Sequence, residues 1–182
     1  MKTLVIHPFD QTTSFLEPVY EKVPVKTVIR GGIRKQELES LISSHDRIMM
    51  MGHGSPLGLL SVGQFPGSGP YIINHFSADL LRTKKNNVYI WCYADQFVYN
   101  HCLGGFCSGM FVSEMGEARI IGIRNASQEL IDISNERFSK VAGLHINCQS
   151  AVILCEMVKR EYGILANLNP VVRYNYMRLY SK

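Results

Sequence analysis

Two short, almost wholly apolar segments, each followed at once by a reactive side chain, constrain the fold of this chain more than any other feature. Arg47–Met51 runs directly into Gly52-His53-Gly54, and Val88–Trp91 runs directly into Cys92. Strands without polar alternation are typical of a parallel sheet that is covered on both faces. Such sheets place their sites beyond the carboxyl ends of the strands. The sequence therefore predicts that the histidine and the cysteine stand at one edge of a sheet.

Strand-like and helix-like segments alternate through most of the chain. The expected strands are Thr3–His7, Val25–Ile29, Arg47–Met51, Val88–Trp91 and Ala118–Ile123, with a small hairpin around Leu59–Val62. The expected helices are Phe15–Lys22, Arg34–Ser43, Ile72–Leu81, Gln96–Cys102, Ser127–Val141 and Asn147–Glu161. Residues 104–109 are glycine-rich and predict a loop, and Val171–Met177 fits either an edge strand or a terminal helix. This order predicts one α/β domain over residues 1–182, with a mainly parallel sheet and helices on both faces.

Composition and charge narrow the classes of protein to consider. Hydrophobic residues make up 46% of the chain and charged residues 19%, which is enough for a sizeable core. The net charge of +4 is spread along the sequence without the basic stripe of a nucleic-acid binder. No apolar run is long enough for a bilayer or a secretory signal. The scattered charge and the short apolar runs thus predict neither nucleic acid nor a membrane as partner. With no export signal, the five irregularly spaced cysteines predict reduced thiols and a cytoplasmic location.

No segment has the pattern of a cofactor or metal site. The glycine-rich stretch at residues 63–69 lacks the Lys-Ser/Thr ending of a phosphate-binding loop and follows no clear strand. His101, Cys102 and Cys107 lack the paired Cys-x-x-Cys spacing of a structural zinc site. We therefore expect neither a cofactor nor a metal ion, although a nucleotide- or phosphate-binding α/β protein remains a weaker alternative.

The residue types at the two strand ends suit thiol chemistry. A cysteine nucleophile reacts as the thiolate, and a nearby histidine can take its proton. Neighbouring strands lie roughly 4.8 Å apart, so two strands that both end in such a residue bring the pair together. Gly54 next to the histidine would let the backbone approach a substrate and donate from its N–H. His7, which ends the first strand, points toward the same edge, and residues 106–114 form either a pocket wall or a loop that turns into a helix.

The segments around this pair resemble the caspase-like cysteine peptidases, the group of caspases, metacaspases, gingipains and separases. The apolar run ending in Gly52-His53-Gly54 is similar to the histidine strand of that family, and Val88–Cys92 to the strand that delivers its nucleophile. The resemblance covers roughly Thr3 to Ile123 and includes the hairpin region and the helix between the two strands. It implies a three-layer caspase-like fold, with Cys92 as nucleophile, His53 as its base and the N–H groups of Gly54 and Cys92 as oxyanion hole.

The resemblance also implies a peptide or protein substrate. Ile90, two positions before the cysteine, would line the primary specificity pocket, where the family often has a polar or acidic residue. Tyr93 and Asp95 follow the cysteine, where the family favours small residues, and they are the other candidates for substrate contact. Two functions therefore stay open, a cysteine-dependent endopeptidase and a catalytically inactive caspase-like binding or adaptor domain. No oligomeric state is predicted.

Overall fold

A six-stranded sheet organises the protein, as seen in a computed structural model that describes all 182 residues. Its strands are β1 (Thr3–Ile6), β2 (Lys26–Ile29), β3 (Arg47–Met51), β7 (Val88–Ile90), β8 (Phe106–Ser108) and β9 (Leu179–Ser181). They lie in the order β2-β1-β3-β7-β8-β9, and every neighbouring pair is parallel except β8 and β9. A second sheet joins β4 (Gly54–Ser55), β5 (Gly58–Leu60) and β6 (Tyr71–Ile73) in antiparallel pairs between β3 and β7.

Eight α-helices connect and cover the strands. They are α1 (Glu17–Glu21), α2 (Lys35–Ser44), α3 (Ala78–Arg82), α4 (Ala94–Asn100), α5 (Met115–Ile120), α6 (Gln128–His145), α7 (Ala151–Tyr162) and α8 (Pro170–Tyr176). A 3₁₀ helix over Gln11–Leu16 precedes α1, and shorter ones occur at His75–Ser77 and Gly163–Leu165. None of the helices combines the length and the apolar character that a bilayer crossing requires.

The apolar strands divide their side chains between two cores. Met49 and Met51 of β3 belong to one buried cluster, whose helical members come from the 3₁₀ helix before α1 and from α1, α6, α7 and α8. Ile48 and Met50 belong to a second cluster with residues of α2, α3 and α4. Successive side chains of a strand point to opposite faces, so burial of all five β3 residues requires cover on both sides. The predicted mainly parallel α/β sheet is confirmed, and its two cores explain why the inner strands β1, β3 and β7 lack polar alternation.

Three sequence-based element predictions were wrong. The helix predicted over Ile72–Leu81 begins with strand β6, because these residues pair with β5, and α3 starts only at Ala78. The strand predicted over Ala118–Ile123 is instead the last turn of α5, up to Ile120, and the turn that follows it. This helix starts in a capping box made by Glu114 and Glu117. The loop predicted at residues 104–109 contains β8, a buried strand of the main sheet.

The C-terminal segment is a helix followed by a strand, and His7 is a buried residue directly after β1. Val171–Met177 takes the helical alternative, as most of α8, and the antiparallel edge strand follows it as β9.

His7 is fully buried, where its ring nitrogens lie 3.1 Å from the Tyr20 hydroxyl and 3.2 Å from the Thr13 hydroxyl. Burial, with a smaller contribution from Arg30, lowers the pKa of His7 from 6.5 to about 4. This histidine is therefore neutral at pH 7 and fixes the loop after β1.

We predict that His7 makes the protein less stable in mild acid. Between pH 6.5 and pH 4 the unfolded chain binds a proton at this position that the folded chain excludes, so stability falls as the pH falls. The loss amounts to about 3 kcal/mol of unfolding free energy across that window. Urea denaturation at several pH values should show this fall in the parent and a smaller fall in His7→Asn. Parallel pH dependence in the two proteins would contradict the prediction.

Candidate active site at the carboxyl edge of the sheet

The pairing of β3 with β7 sets His53 and Cys92 at the same level of the sheet. Met51 of β3 is in register with Ile90 of β7, and the Gly52 N–H extends the ladder to the Ile90 carbonyl at 3.0 Å. His53 and Cys92 each follow their member of this last pair by two residues. The two side chains line one cavity at the carboxyl edge of the sheet. The structure thus brings together the two residues that the sequence selected.

The shared cavity is small and mostly enclosed by apolar groups. Its volume is about 20 Å³, which is room for a single water molecule. Its lining comes from the loop after β1, from the two strand ends and from the segment after β8: Thr13, Phe15, Leu16, Gly52, His53, Ile90, Trp91, Cys92, Phe111, Ser113 and Glu117. Residues 106–114, which the sequence offered as a pocket wall, therefore supply two lining residues.

His53 is held by two residues that the sequence did not identify. Its Nε2 lies 2.6 Å from the Thr12 hydroxyl, and that hydroxyl donates to Asp10 Oδ1, also at 2.6 Å. A hydroxyl has one proton to donate, so Thr12 accepts from His53 and the Nε2 atom carries the hydrogen. Asp10 Oδ1 itself lies 3.9 Å from Nε2. This chain of contacts fixes the ring and leaves Nδ1 as the proton acceptor of the neutral imidazole.

The Cys92 thiol contacts groups other than histidine. Its Sγ lies 3.4 Å from the Phe111 carbonyl oxygen and 3.4 Å from Glu117 Oε1, so these two acceptors share the single thiol proton. Burial is the main cause that raises the pKa of Cys92 from 9.0 to about 12, and the neighbouring Glu117 carboxylate adds to it. A poorly hydrated thiol beside a carboxylate keeps its proton. In this arrangement the sulfur is a thiol, and it is not a thiolate.

Gly54 has a steric reason to be glycine. A Cβ atom built there would lie 2.1 Å from Trp91 Cδ1 and 2.7 Å from the Gly58 carbonyl oxygen. The indole of Trp91 is buried against this backbone and donates from its Nε1 to the Ser55 carbonyl at 3.0 Å. The glycine thus allows β4 to pack on the residue that precedes the cysteine. An oxyanion-hole role for its N–H stays a prediction.

Of the three predicted substrate contacts, only Ile90 lines this cavity. Ile90 is 2% exposed and belongs to the core beneath the site. Tyr93 takes a left-handed conformation with φ of 68° at the start of α4 and is exposed. Asp95 lines a different cavity of about 510 Å³ between α4 and β9, together with Tyr99, Cys107 and Tyr180. The structure therefore separates Asp95 from the pocket that His53 and Cys92 share.

Three further observations concern Asp95, the cysteines and metal binding. Asp95 Oδ1 is buried without a hydrogen-bond partner, and burial raises the pKa of this carboxyl group. All five cysteines are free. No three or more His, Cys, Asp or Glu side chains gather in a way that could hold a metal ion.

Comparison of the chain with protein-family models, with curated proteins and with solved structures found no match. The site must therefore be interpreted from its own side chains. Those that face the cavity with reactive or charged groups are a thiol, an imidazole and a carboxylate, from Cys92, His53 and Glu117.

We predict that the Thr12 hydroxyl sets the tautomer of His53. In the parent protein, ¹⁵N chemical shifts of the neutral imidazole at pH 8 should report hydrogen on Nε2, because of the two neutral tautomers only this one donates to the Thr12 hydroxyl. Thr12→Val removes the acceptor and should give a mixture of tautomers. Thr12→Ser, which keeps the hydroxyl, is the matched control and should retain the parent spectrum. A parent ring protonated mainly on Nδ1 would contradict the assignment.

Proposed function

We propose that the protein is a cysteine-dependent endopeptidase with a three-layer caspase-like fold. The observation that carries this proposal is the placement of His53 and Cys92 at matched positions beyond paired parallel strands, where they line one cavity. A nucleophile and its base have to converge in this way whatever their distance in sequence. The Gly-His-Gly segment and the apolar strand before Cys92, which resemble the family, occupy these positions.

The layout of the surrounding elements supports the same proposal. Between the histidine strand and the cysteine strand lie a small antiparallel sheet and then α3, the order that the resemblance implied. Apolar clusters on both faces of the main sheet, each with helical members, support the three-layer arrangement. The five free cysteines are consistent with a reducing compartment, so we place the protein in the cytoplasm.

The proposed reaction is acyl transfer through the sulfur of Cys92. Nδ1 of His53 takes the Sγ proton while sulfur bonds to the carbonyl carbon of the peptide. The imidazolium returns that proton to the leaving amine, and a thioester remains. Water then attacks the thioester, with His53 as base, and releases the carboxylic acid and the free thiol. The Asp10–Thr12 contacts suit this cycle, because they keep Nδ1 available and face the positive ring with a carboxylate.

The developing oxyanion needs hydrogen-bond donors, and the proposal assigns this role to the N–H groups of Gly54 and Cys92. Ile90 would form the apolar floor beneath the substrate. Tyr93, exposed next to the nucleophile, would contact the substrate from the rim, and Asp95 would do so only for a side chain that reaches its separate cavity.

A second function, a catalytically inactive caspase-like binding domain, is favoured by one specific observation. Cys92 is half-buried, the pKa of its thiol is raised to about 12, and the acceptors of its proton are Phe111 and Glu117. In that case a peptide partner would bind at the same edge of the sheet without being cut.

The deciding experiment is covalent labelling with a panel of peptidyl acyloxymethyl ketones, read by intact mass and peptide mapping. We expect one label per chain on Cys92, cleavage of a matching peptide, and loss of both in Cys92→Ala. Cys102→Ala is the matched control, since Cys102 is an exposed cysteine away from the cavity, and it should behave as the parent. Labelling or cleavage that persists in Cys92→Ala would overturn the assignment. A folded parent that neither labels nor cleaves across the panel would favour the binding domain.

A further inference from the structure

The Glu117 carboxylate is fixed in place by donors on one side and meets the Cys92 thiol on the other. Its Oε2 accepts from the Ser113 N–H at 2.7 Å, from the Ser113 hydroxyl at 3.0 Å and from the Glu114 N–H at 3.1 Å. Its Oε1 lies 3.4 Å from Cys92 Sγ. Ser113 and Glu117 both line the cavity that holds the cysteine. One carboxylate therefore closes a turn and reaches into the candidate active site.

This contact determines where the thiol proton lies. A carboxylate has only acceptor sites, so a hydrogen bond between Oε1 and Sγ exists only while the sulfur keeps its proton, which Glu117 shares with the Phe111 carbonyl. A thiolate at the same place would stand against a negative charge in a poorly hydrated pocket. Glu117 thus opposes the ionisation that a cysteine nucleophile needs, whereas His53 would favour it.

The backbone around Glu117 is held from two other helices. Asn175 of α8 accepts from the Val112 N–H at 2.7 Å and donates to the Val112 carbonyl at 2.8 Å. Asn135 of α6 donates to the Ser113 carbonyl at 3.0 Å. These contacts anchor the backbone of the segment before α5, so withdrawal of the carboxylate requires only that the Glu117 side chain give up its hydrogen bonds to Ser113 and Glu114 and turn about its own bonds.

We propose that Glu117 is a gate on Cys92, which keeps the sulfur protonated and fills the space beside it until the carboxylate swings out of the cavity. The proposal depends on the proposed function only in naming Cys92 the nucleophile. With the carboxylate withdrawn, the space beside the sulfur is open to a substrate carbonyl, and His53 is the remaining ionisable group of the cavity lining. The gate is therefore a regulatory element of the same site.

Other ionisable groups face the thiol more weakly. Glu114, next to the turn, adds a small repulsion that also raises the pKa of Cys92, and Cys92 in turn makes a small contribution to the raised pKa of the Tyr174 hydroxyl of α8. Neither makes a hydrogen bond to Sγ, whose single proton is shared between the Phe111 carbonyl and Glu117 Oε1. Glu117 is therefore the side chain whose neutralisation should change the thiol most.

The test measures the alkylation rate of each cysteine by iodoacetamide at pH 8, resolved by peptide mapping. Glu117→Gln keeps the length of the side chain and a carbonyl oxygen for the Ser113 and Glu114 donors, but removes the charge. We expect Cys92 to react about tenfold faster, the change in thiolate fraction for one pKa unit. Cys102 is exposed and serves as internal reference, with an unchanged rate. Glu129→Gln, at an exposed carboxylate in the first turn of α6, is the matched control and should leave Cys92 at the parent rate.

The buried Cys107 and Cys155 report on the fold in the same experiment, because they react only if the chain opens. If they react in Glu117→Gln, Ser113→Ala is used in its place, because it removes one hydrogen bond that holds the carboxylate. We expect this variant to raise the alkylation rate of Cys92 about threefold, which corresponds to a fall in its pKa of less than half a unit. The gate would be overturned if Cys92 is alkylated at the parent rate in Glu117→Gln, or in Ser113→Ala where Glu117→Gln does not stay folded.

This readout separates the gate from the peptidase. Faster alkylation of Cys92 in Glu117→Gln, with no peptidyl labelling in any variant, would support the gate and overturn the proposed function. Peptidyl labelling of Cys92 at equal rates in parent and Glu117→Gln, with unchanged alkylation, would support the proposed function and overturn the gate.

Discussion

The parallel pairing of β3 with β7 is the constraint on which the rest of the site depends. Its register, Met51 opposite Ile90, decides that His53 and Cys92 leave the sheet at the same level. A slip by one residue would turn every side chain of the strand to the other face. Burial prevents that slip, because the residues of both strands are packed into two different cores.

The same burial sets the chemical state of the thiol. Packing of Phe111 and Glu117 against Cys92 leaves room for about one water molecule and is what raises the pKa of the sulfur. On the histidine side, the loop after β1 is more exposed, and it holds the ring through Thr12 and Asp10. The site thus has a base whose ring is already oriented and a nucleophile that is still protonated. A gate on the sulfur explains this difference.

Sequence alone predicted the parts of the fold that depend on local pattern. The apolar runs of β3 and β7 identified buried strands, and the rule for carboxyl strand ends then brought His53 and Cys92 together. Prediction from the sequence failed for β6, β8 and α5, where short segments take their structure from pairing or capping with other residues. Thr12 and Glu117 were missed for the same reason, since they lie 41 residues from His53 and 25 residues from Cys92 and meet them only in the folded chain.

The most direct measurement of the central claim is disulfide formation in the variant His53→Cys under mild oxidation. Adjacent strands at matched register place the two Cα atoms roughly 4.8 Å apart, within the range that a disulfide spans. Peptide mapping should find the introduced thiol joined to Cys92, whereas His45→Cys, before β3 at the opposite edge of the sheet, should leave Cys92 free. A His53→Cys protein that stays folded and keeps both thiols free would contradict the account.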